Sequence, residues 1–489
     1  MLAQYEPQPF FYWFEKITQI PRPSFHEEQI CDFLEAFAKN RGLWYYRDKQ
    51  HNILMRIPAS EGYEQEPPLL LQAHTDMITE KDDGVDFDFS RDPIRLKIIG
   101  NELYAEGTTL GADDGSGMAI MLAIADTPAL PHPELELLFT SQEEVGMGGI
   151  QQFDFTQIRS RRMINLDCGR MHNISVSSAG AMTVVIEDRL DSAPQDGTVI
   201  RLTLRGGIGG HSGLEIHKNR ACAANLLGEL LLETGKVCPF RLISLTVTHQ
   251  PILPEIKATF AVAGAHVAAV TDILTKGFNT VKSRYSQSEP DLSCEFAIED
   301  CKESRALSES DSLRIAKLLY LLRTGAKKRD ADDPAIILSS AAIAAVNLLQ
   351  GFFSLSYAIR AVKDSEKAVQ GRIVEELADL LQFPTVITKS YPGWPKSAQS
   401  EIVPLVDRVH QRLFGTPPAH QYIHGGTEVG VVLGAIPDMD AFGAIPSMAN
   451  AHTTRELLYL DQVPDFWRLI TAVLAEKTVL PTRSTVETE

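Results

Sequence analysis

No stretch of this chain reaches the roughly 18 uninterrupted apolar residues that a helix needs to cross a bilayer, so no membrane-spanning segment or membrane partner is expected. Positive charge is also short. Lys and Arg number 46 against 64 Asp and Glu, a net charge of -18. Phosphate backbones and acidic membranes are bound by clustered Lys and Arg, so a nucleic-acid partner is not expected either. A small anionic substrate held at a metal site is still compatible with this charge. The six cysteines (Cys31, Cys168, Cys222, Cys238, Cys294 and Cys301) show neither CxxC spacing nor the density of a disulfide-stapled domain. They fit a reducing, cytoplasmic setting. The N-terminal MLAQYEPQPFFYWFEK has no basic stretch followed by a clean apolar core, so no signal peptide is expected. GxSxG and GxxxxGK[ST] are absent, and no convincing GxGxxG follows a strand, which removes the usual serine-hydrolase and nucleotide-binding signatures.

What is present is a chain of 489 residues, too long for one ordinary core. Two domains, or one with a large insertion, are expected. The segment LQAHTDM at 71–77 organises the rest. Residues 67–73 form an apolar run between turn residues, which predicts a short buried strand. It would deliver His74 and Asp76 to the C-terminal edge of a sheet, where α/β folds place their ligands. Before it, a helix is predicted over 9–20, stopped by Pro21 and Pro23. A second follows, with Ser24 as N-cap, Glu27 completing a capping box, and an end near Arg41. Strands are predicted at 43–47 and 52–57. Residues 82–99 read as a polar surface excursion. GTTLGADDGSGMAIMLAIAD at 107–126 starts as a glycine-rich loop and becomes a helix from Gly115. Strands at 135–140 and 163–166 end in Ser141-Gln142-Glu143-Glu144 and at Asp167. Strands alternating with helices imply a largely parallel, covered sheet.

The pattern changes near Gly180. Strands at 181–190, 198–204, 242–248 and 257–262 and helices at 218–234 and 267–281 are followed by a comparable succession over 293–390. Residues 327–334, KKRDADDP, read as a solvated turn. YPGWP at 391–395 reads as a return linker. A helix at 402–414, a glycine-rich stretch at 424–434, a strand at 439–443 and a helix at 456–476 would complete the first domain. The expected fold is α/β: a discontinuous, mainly parallel-sheet catalytic domain (1–185 and 393–489) with an inserted α+β domain (186–392).

His74, Asp76, Asp113, Glu143, Glu144, Asp167 and His452 all fall at predicted strand ends or in glycine-rich loops. Taken singly, such an acid is a cap or a turn residue. Gathered at one sheet edge, unpaired carboxylates repel one another, and a divalent metal resolves that repulsion. Imidazole with carboxylate suits zinc, manganese or cobalt, and the lack of cysteine ligands argues against a structural zinc site. Two ions roughly 3.5–4 Å apart need a bridging carboxylate. Asp113 is the central candidate, with His74 and Asp167 on one ion and Glu144 and His452 on the other. Asp76 would accept the second ring N–H of His74. Glu143, left without a metal, would be the general base.

HTDM, TTLGADDGSGMA, EEVGM, NLD and Ala451-His452 together resemble, in order and spacing, a di-zinc metallopeptidase family that includes carboxypeptidases, aminoacylases and tripeptide aminopeptidases. TTLGAD, the chain length and YPGW are most similar to its cytosolic aminoacyl-histidine dipeptidase branch. The resemblance covers essentially the whole chain. It implies two divalent ions, zinc first with manganese or cobalt as alternatives, and a small peptide substrate. Hydrolysis of dipeptides is implied, with N-acyl-amino-acid amidohydrolase or tripeptide aminopeptidase activity as the alternative. It also implies that the insertion is a lid used for homodimerisation. GGHSG at 209–213 resembles a lid motif whose His, here His211, helps hold the scissile carbonyl, sometimes from the partner subunit. Arg360 matches a lid arginine that pairs with the substrate's C-terminal carboxylate. HGGTE at 424–428 resembles a substrate-side glycine loop, with Gly426 as its candidate contact. The chain departs from the branch at Thr453-Thr454-Arg455-Glu456, where Ser-Pro-Asp-Glu is usual. It departs again at Cys168-Gly169-Arg170, where acids are common, and at Thr427 and Val429, where Leu and Cys are frequent. No proposed ligand or base is lost, so activity is expected and the departures bear on substrate preference. Cys168 reads as an inert buried thiol.

Overall fold

The structure, a computed structural model, describes residues 1–213, 215–247 and 252–477, without the side chains of Asp196 and 301–303. The chain divides into two compact units. One comprises Met1–Ser177, Pro395–Tyr422 and the described residues from Thr427 on; the other comprises Ser178–Trp394 with Ile423–Gly426. Among the described residues no helix is long and apolar enough to cross a membrane.

The first unit is built on an eight-stranded sheet. Its spatial order is Trp44–Arg47, Ile53–Ile57, Leu135–Thr140, Leu69–His74, Arg162–Asn165, Asp440–Gly443, Asn173–Ser178 and Ala419–Ile423. The four middle strands, from Leu135–Thr140 to Asp440–Gly443, run parallel. Antiparallel pairs flank them, because the chain enters through a hairpin, which needs only a short turn. Every residue of Leu69–His74 and of Leu135–Thr140 is buried, as expected where helices cover both faces. In register, His74 lies opposite Thr140 and Gln72 opposite Asn165, so the strand ends are level. The helix Ala112–Ala125 is buried along nearly its whole length and packs on Gln8–Ile17 and on Leu69–His74. Its small residues permit that approach: a Cβ on Gly117 would stand 2.6 Å from the main-chain oxygen of Leu166.

Several local expectations give way to tertiary contacts. Ser24 does not cap the second helix, which runs over Glu28–Asn40 with Glu27 at its N-cap. The Ser24 hydroxyl donates instead to Asp76 at 2.7 Å. The excursion at 82–99 ends in a strand, Leu96–Ile99, in a small four-stranded sheet with Glu102–Ala105, Leu457–Tyr459 and Met448–Ala449. Residues 457–459 therefore belong to a strand, and the last helix starts at Val463, with a proline in its first turn.

The second unit carries an antiparallel sheet in the order Ser293–Leu307, Ser192–Arg205, Ile256–Val262, Arg241–Val247, Ile337–Leu349, Phe352–Ala361, Gly180–Arg189 and Thr385–Tyr391. The basic half of the expected 327–334 turn is in fact part of a strand, Gly325–Arg329, paired with Ile337–Leu349. Thr248, the predicted end of the 242–248 strand, lies outside the described residues. Phe352–Ala361 alternates buried and more exposed positions without a break, so one face meets the core while the other stays open. Helices Ala223–Val237, Glu309–Leu321, Val267–Arg284 and Asp364–Leu380 supply the second layer.

Gly117→Ala drives a methyl group against main-chain atoms and is expected to cost about 1–3 kcal/mol. Gly235→Ala meets nothing closer than 3.4 Å within Ala223–Val237 and should stabilise by about 0.5–1 kcal/mol. Urea midpoints of the two variants should therefore move in opposite directions.

Candidate metal centre

His74 ends its strand and is buried. Its Nδ1 lies 3.1 Å from the main-chain oxygen of Asp76 and 3.4 Å from the Asp76 carboxylate. The nearer acceptor of this ring nitrogen is thus the Asp76 backbone, with the carboxylate beside it. Nε2 is left facing Asp113 Oδ1 at 3.0 Å and Asp167 Oδ1 at 3.6 Å. The other oxygen of Asp113 is 3.3 Å from His452 Nε2, which in turn is 3.0 Å from Glu144 Oε2. The five residues expected to hold metal therefore meet in one chain of contacts, with Asp113 in the middle. Ligand atoms of His74, Asp113 and Glu144 all fall within 4.8 Å of one another and could hold an ion, as could those of His74, Asp114 and Asp167.

Asp76 holds the next strand end. Its oxygens accept the main-chain N–H groups of Glu143 and Glu144 at 3.0 and 3.3 Å, besides the Ser24 hydroxyl. Glu143 is thereby fixed at its backbone beside the cluster. Burial and the neighbouring acids Asp167, Glu428 and Glu144 hold its carboxyl well above the usual range, although His74 opposes them. His452 sits on the hairpin between Met448–Ala449 and Leu457–Tyr459, and its side chain is 50% exposed. The unusual residues after it serve that loop: Thr453 donates to Asn450 O at 2.8 Å and Thr454 to Asp82 at 2.6 Å.

The electrostatics show what the cluster demands. Contacts with Asp113 and Glu144 raise His452 to about 10 despite burial. Burial alone would lower His74, but Asp113, Asp167 and Asp76 outweigh it and lift the imidazole well above its ordinary value. Burial raises Asp167, with His74 opposing. The site calls for positive charge, and Glu144 Oε1 is buried with no hydrogen-bond partner. Carboxylates and imidazoles without a thiol, one carboxylate oxygen orphaned, fit divalent cations of the zinc, manganese or cobalt type.

Sequence reasoning missed the groups that fix this arrangement. Glu456 is buried and accepts the N–H groups of Leu110 and Gly111 at 2.9 Å each and of Asp113 at 3.1 Å. Arg22, also buried, donates to Thr75 O at 2.8 Å, Asp76 O at 2.7 Å and Gly111 O. Together they hold the Asp113 loop from its N–H and C=O sides. Asp114 accepts from the main-chain N–H of His74 at 3.1 Å and of Gly117 at 3.0 Å. Only their positions carried a signal: Arg22 lies between two prolines, Asp114 next to a candidate ligand, and Glu456 just after His452. Cys168 is buried, and burial with Asp167 alongside pushes its thiol well up, which disfavours the reactive thiolate.

The second unit brings its own predicted residues together. His211 Nδ1 accepts the N–H of Gly213 at 3.2 Å, so in the neutral ring the proton sits on Nε2. The His211 main-chain N–H is held by Glu215, which pairs with Lys218 and Arg220 at 2.9 Å. Burial and the charge of Arg360 lower the imidazole below its ordinary value. Arg360 lies on Phe352–Ala361, with Nε 3.4 Å from Ser212 Oγ and Nη1 3.4 Å from the Tyr391 hydroxyl. A Cβ on Gly426 would stand 2.5 Å from that hydroxyl and 2.7 Å from the ring, so packing against Tyr391 already accounts for this glycine. His424, two residues earlier, is 2.7 Å from Ser340 Oγ. Burial and Arg360 lower it to about 4.

Glu456→Gln turns an NH2 group onto a main-chain donor and leaves buried polar groups unmet, a cost of about 1–3 kcal/mol. The urea midpoint of the chelator-treated variant should fall accordingly.

Comparison with known proteins gives these residues a context. The model of "Peptidase family M20/M25/M40" matches residues 70–476, a span that contains every residue of the centre from His74 to His452. The cytosol non-specific dipeptidase of Escherichia coli (strain K12) is 32% identical over 479 residues, covering 97% of this chain and 99% of that protein. The crystal structure of aminoacylhistidine dipeptidase from Vibrio alginolyticus matches with a TM-score of 0.87 at 26% identity, over 98% of this chain and 99% of that one. A tripeptidase from Staphylococcus aureus shares the fold, with a TM-score of 0.57 at 14% identity over 96% and 98% of the two chains. With its model match running from the first metal-centre strand to the last helix, and a relative aligned almost end to end, the chain belongs to peptidase family M20/M25/M40.

Proposed function

We propose that this chain is a metal-dependent dipeptidase of the cytoplasm. One observation carries the reading: Asp113 turns one oxygen to His74 and the other to His452, and each imidazole meets a further carboxylate, Asp167 or Glu144. That is the donor pattern two adjacent cations require. His74 and Asp167 would hold one ion, Glu144 and His452 the other, and Asp113 both, with zinc the first candidate. Such ions, when bound, supply polarisation of a peptide carbonyl and acidification of water. The names of the Escherichia coli and Vibrio alginolyticus relatives support a dipeptide as the substrate. The first of them also supports the cytoplasmic location.

Glu143 is the base in this reading. It takes a proton from the attacking water and passes it to the leaving amine, while Asp76 holds its backbone in position. The guanidinium of Arg360 suits a dipeptide's C-terminal carboxylate. His211, with its Nε2 proton, suits a carbonyl oxygen on which negative charge develops. The expected assembly is a homodimer, which sedimentation would show.

Hydrolysis of Gly-His and β-Ala-His should be abolished by EDTA and restored by zinc, manganese or cobalt. Ala-Ala-Ala and N-acetyl-His should remain uncut; cleavage of either would replace the dipeptidase reading with tripeptidase or amidohydrolase activity. Glu143→Ala should lower kcat about 10²- to 10⁴-fold with metal content unchanged. Turnover that survived both chelation and this substitution would refute the proposal. Arg360→Met should raise KM about tenfold to a hundredfold with a smaller effect on kcat.

A further inference from the structure

Glu428 has been given no role of its own above, although its charge helps to raise Glu143, and it is completely buried at the start of the helix Glu428–Ala435. Its Oε2 accepts the Thr140 hydroxyl at 2.6 Å and the side-chain amide of Gln72. Its Oε1 is buried with no partner. Gln72 in turn accepts the Asn165 amide at 2.6 Å. The Asn165 oxygen accepts the main-chain N–H of Cys168 at 3.1 Å and of Asp167 at 3.4 Å. Thr140 Oγ1 also lies 3.3 Å from Ala73 O.

This row of polar side chains crosses three neighbouring parallel strands: Leu135–Thr140, Leu69–His74 and Arg162–Asn165. Those strands lead into Glu143 and Glu144, into His74, and into Asp167. Apart from Glu136, the other interior residues of these strands are apolar, and apolar packing has no direction that could set one strand-end side chain against the next. A hydrogen-bonded row does, because each link fixes a distance and an angle. Burial raises the Glu428 carboxyl to about 8, with Thr140 opposing; a glutamine there has the same shape and keeps an acceptor oxygen.

We infer that Glu428 is a positioning residue: through Thr140, Gln72 and Asn165 it sets the spacing of the strand ends that carry Glu144, His74 and Asp167. The inference rests on the metal roles proposed above. Its consequence falls on metal geometry and affinity.

The test is cobalt(II) titration of the chelator-treated protein, followed by its visible absorption, alongside kcat and KM for Gly-His. Glu428→Met removes the acceptor at nearly equal size; Glu428→Gln keeps it. In Glu428→Met, cobalt affinity should fall about 10- to 100-fold, with an altered spectrum, lower kcat and KM within about twofold. Glu428→Gln should restore both affinity and spectrum. Wild-type affinity and spectrum in Glu428→Met, or equal damage in Glu428→Gln, would overturn the inference. Should Glu428→Met fail to fold, Thr140→Val breaks one link and is read in the same way. Wild-type protein that takes up no cobalt would overturn the metal reading itself, and this inference with it.

Discussion

Asp113 shares one carboxylate between two imidazoles, and much of the first unit serves to keep it there. The backbone at the start of the helix Ala112–Ala125 is non-helical at Asp113 and Asp114, so regular helix bonds do not hold this loop. Glu456 takes three main-chain N–H groups of that loop, and Arg22 takes the Gly111 carbonyl together with those of Thr75 and Asp76. Both residues are buried, and a buried charge is tolerated only when it is paired and hydrogen-bonded. Each therefore depends on the loop as much as the loop depends on it.

The same constraint governs the wider neighbourhood. Asp76, Asp114, Glu144 and Asp167 crowd the level edge of one sheet, with Glu143 beside them, and water cannot screen them there. The fold answers in two ways. Some acids are satisfied by the protein: Asp76 and Asp114 each accept two main-chain N–H groups. Glu144 and Asp167 face imidazoles, which the surrounding carboxylates raise above their ordinary value. This division separates acids met by main-chain donors from acids that face imidazoles. In the second unit the balance is reversed. Burial and the charge of Arg360 both lower His211 and His424.

The candidate centre was legible in the sequence to the extent that its residues sit at the ends of recognisable elements. The apolar run at 67–73 became Leu69–His74, and the run at 135–140 became a strand of the same bounds. Residues whose partners lie far along the chain were not legible. Arg22 meets Gly111, Glu456 meets Leu110, and Glu428 meets Gln72 and Thr140. Ser24 shows the same limit from the other side: its sequence context is that of a helix cap, but a carboxylate from a distant strand end takes its hydroxyl. Local preference loses wherever a buried charge offers a stronger bond.

Sequence by itself determined the chemistry on offer. Imidazoles and carboxylates without thiols fall at successive strand ends, and the matched span of residues 70–476 identifies the family. Tertiary structure decided which groups each acid meets. Asp113 and Asp114 are the same residue type at adjacent positions, so no sequence pattern assigns them different roles. The folded backbone turns the first toward His74 and His452 and the second toward the N–H groups of His74 and Gly117. The direction of a side chain at a strand edge depends on which groups the rest of the fold brings to that edge. That information resides in contacts between residues distant in the chain.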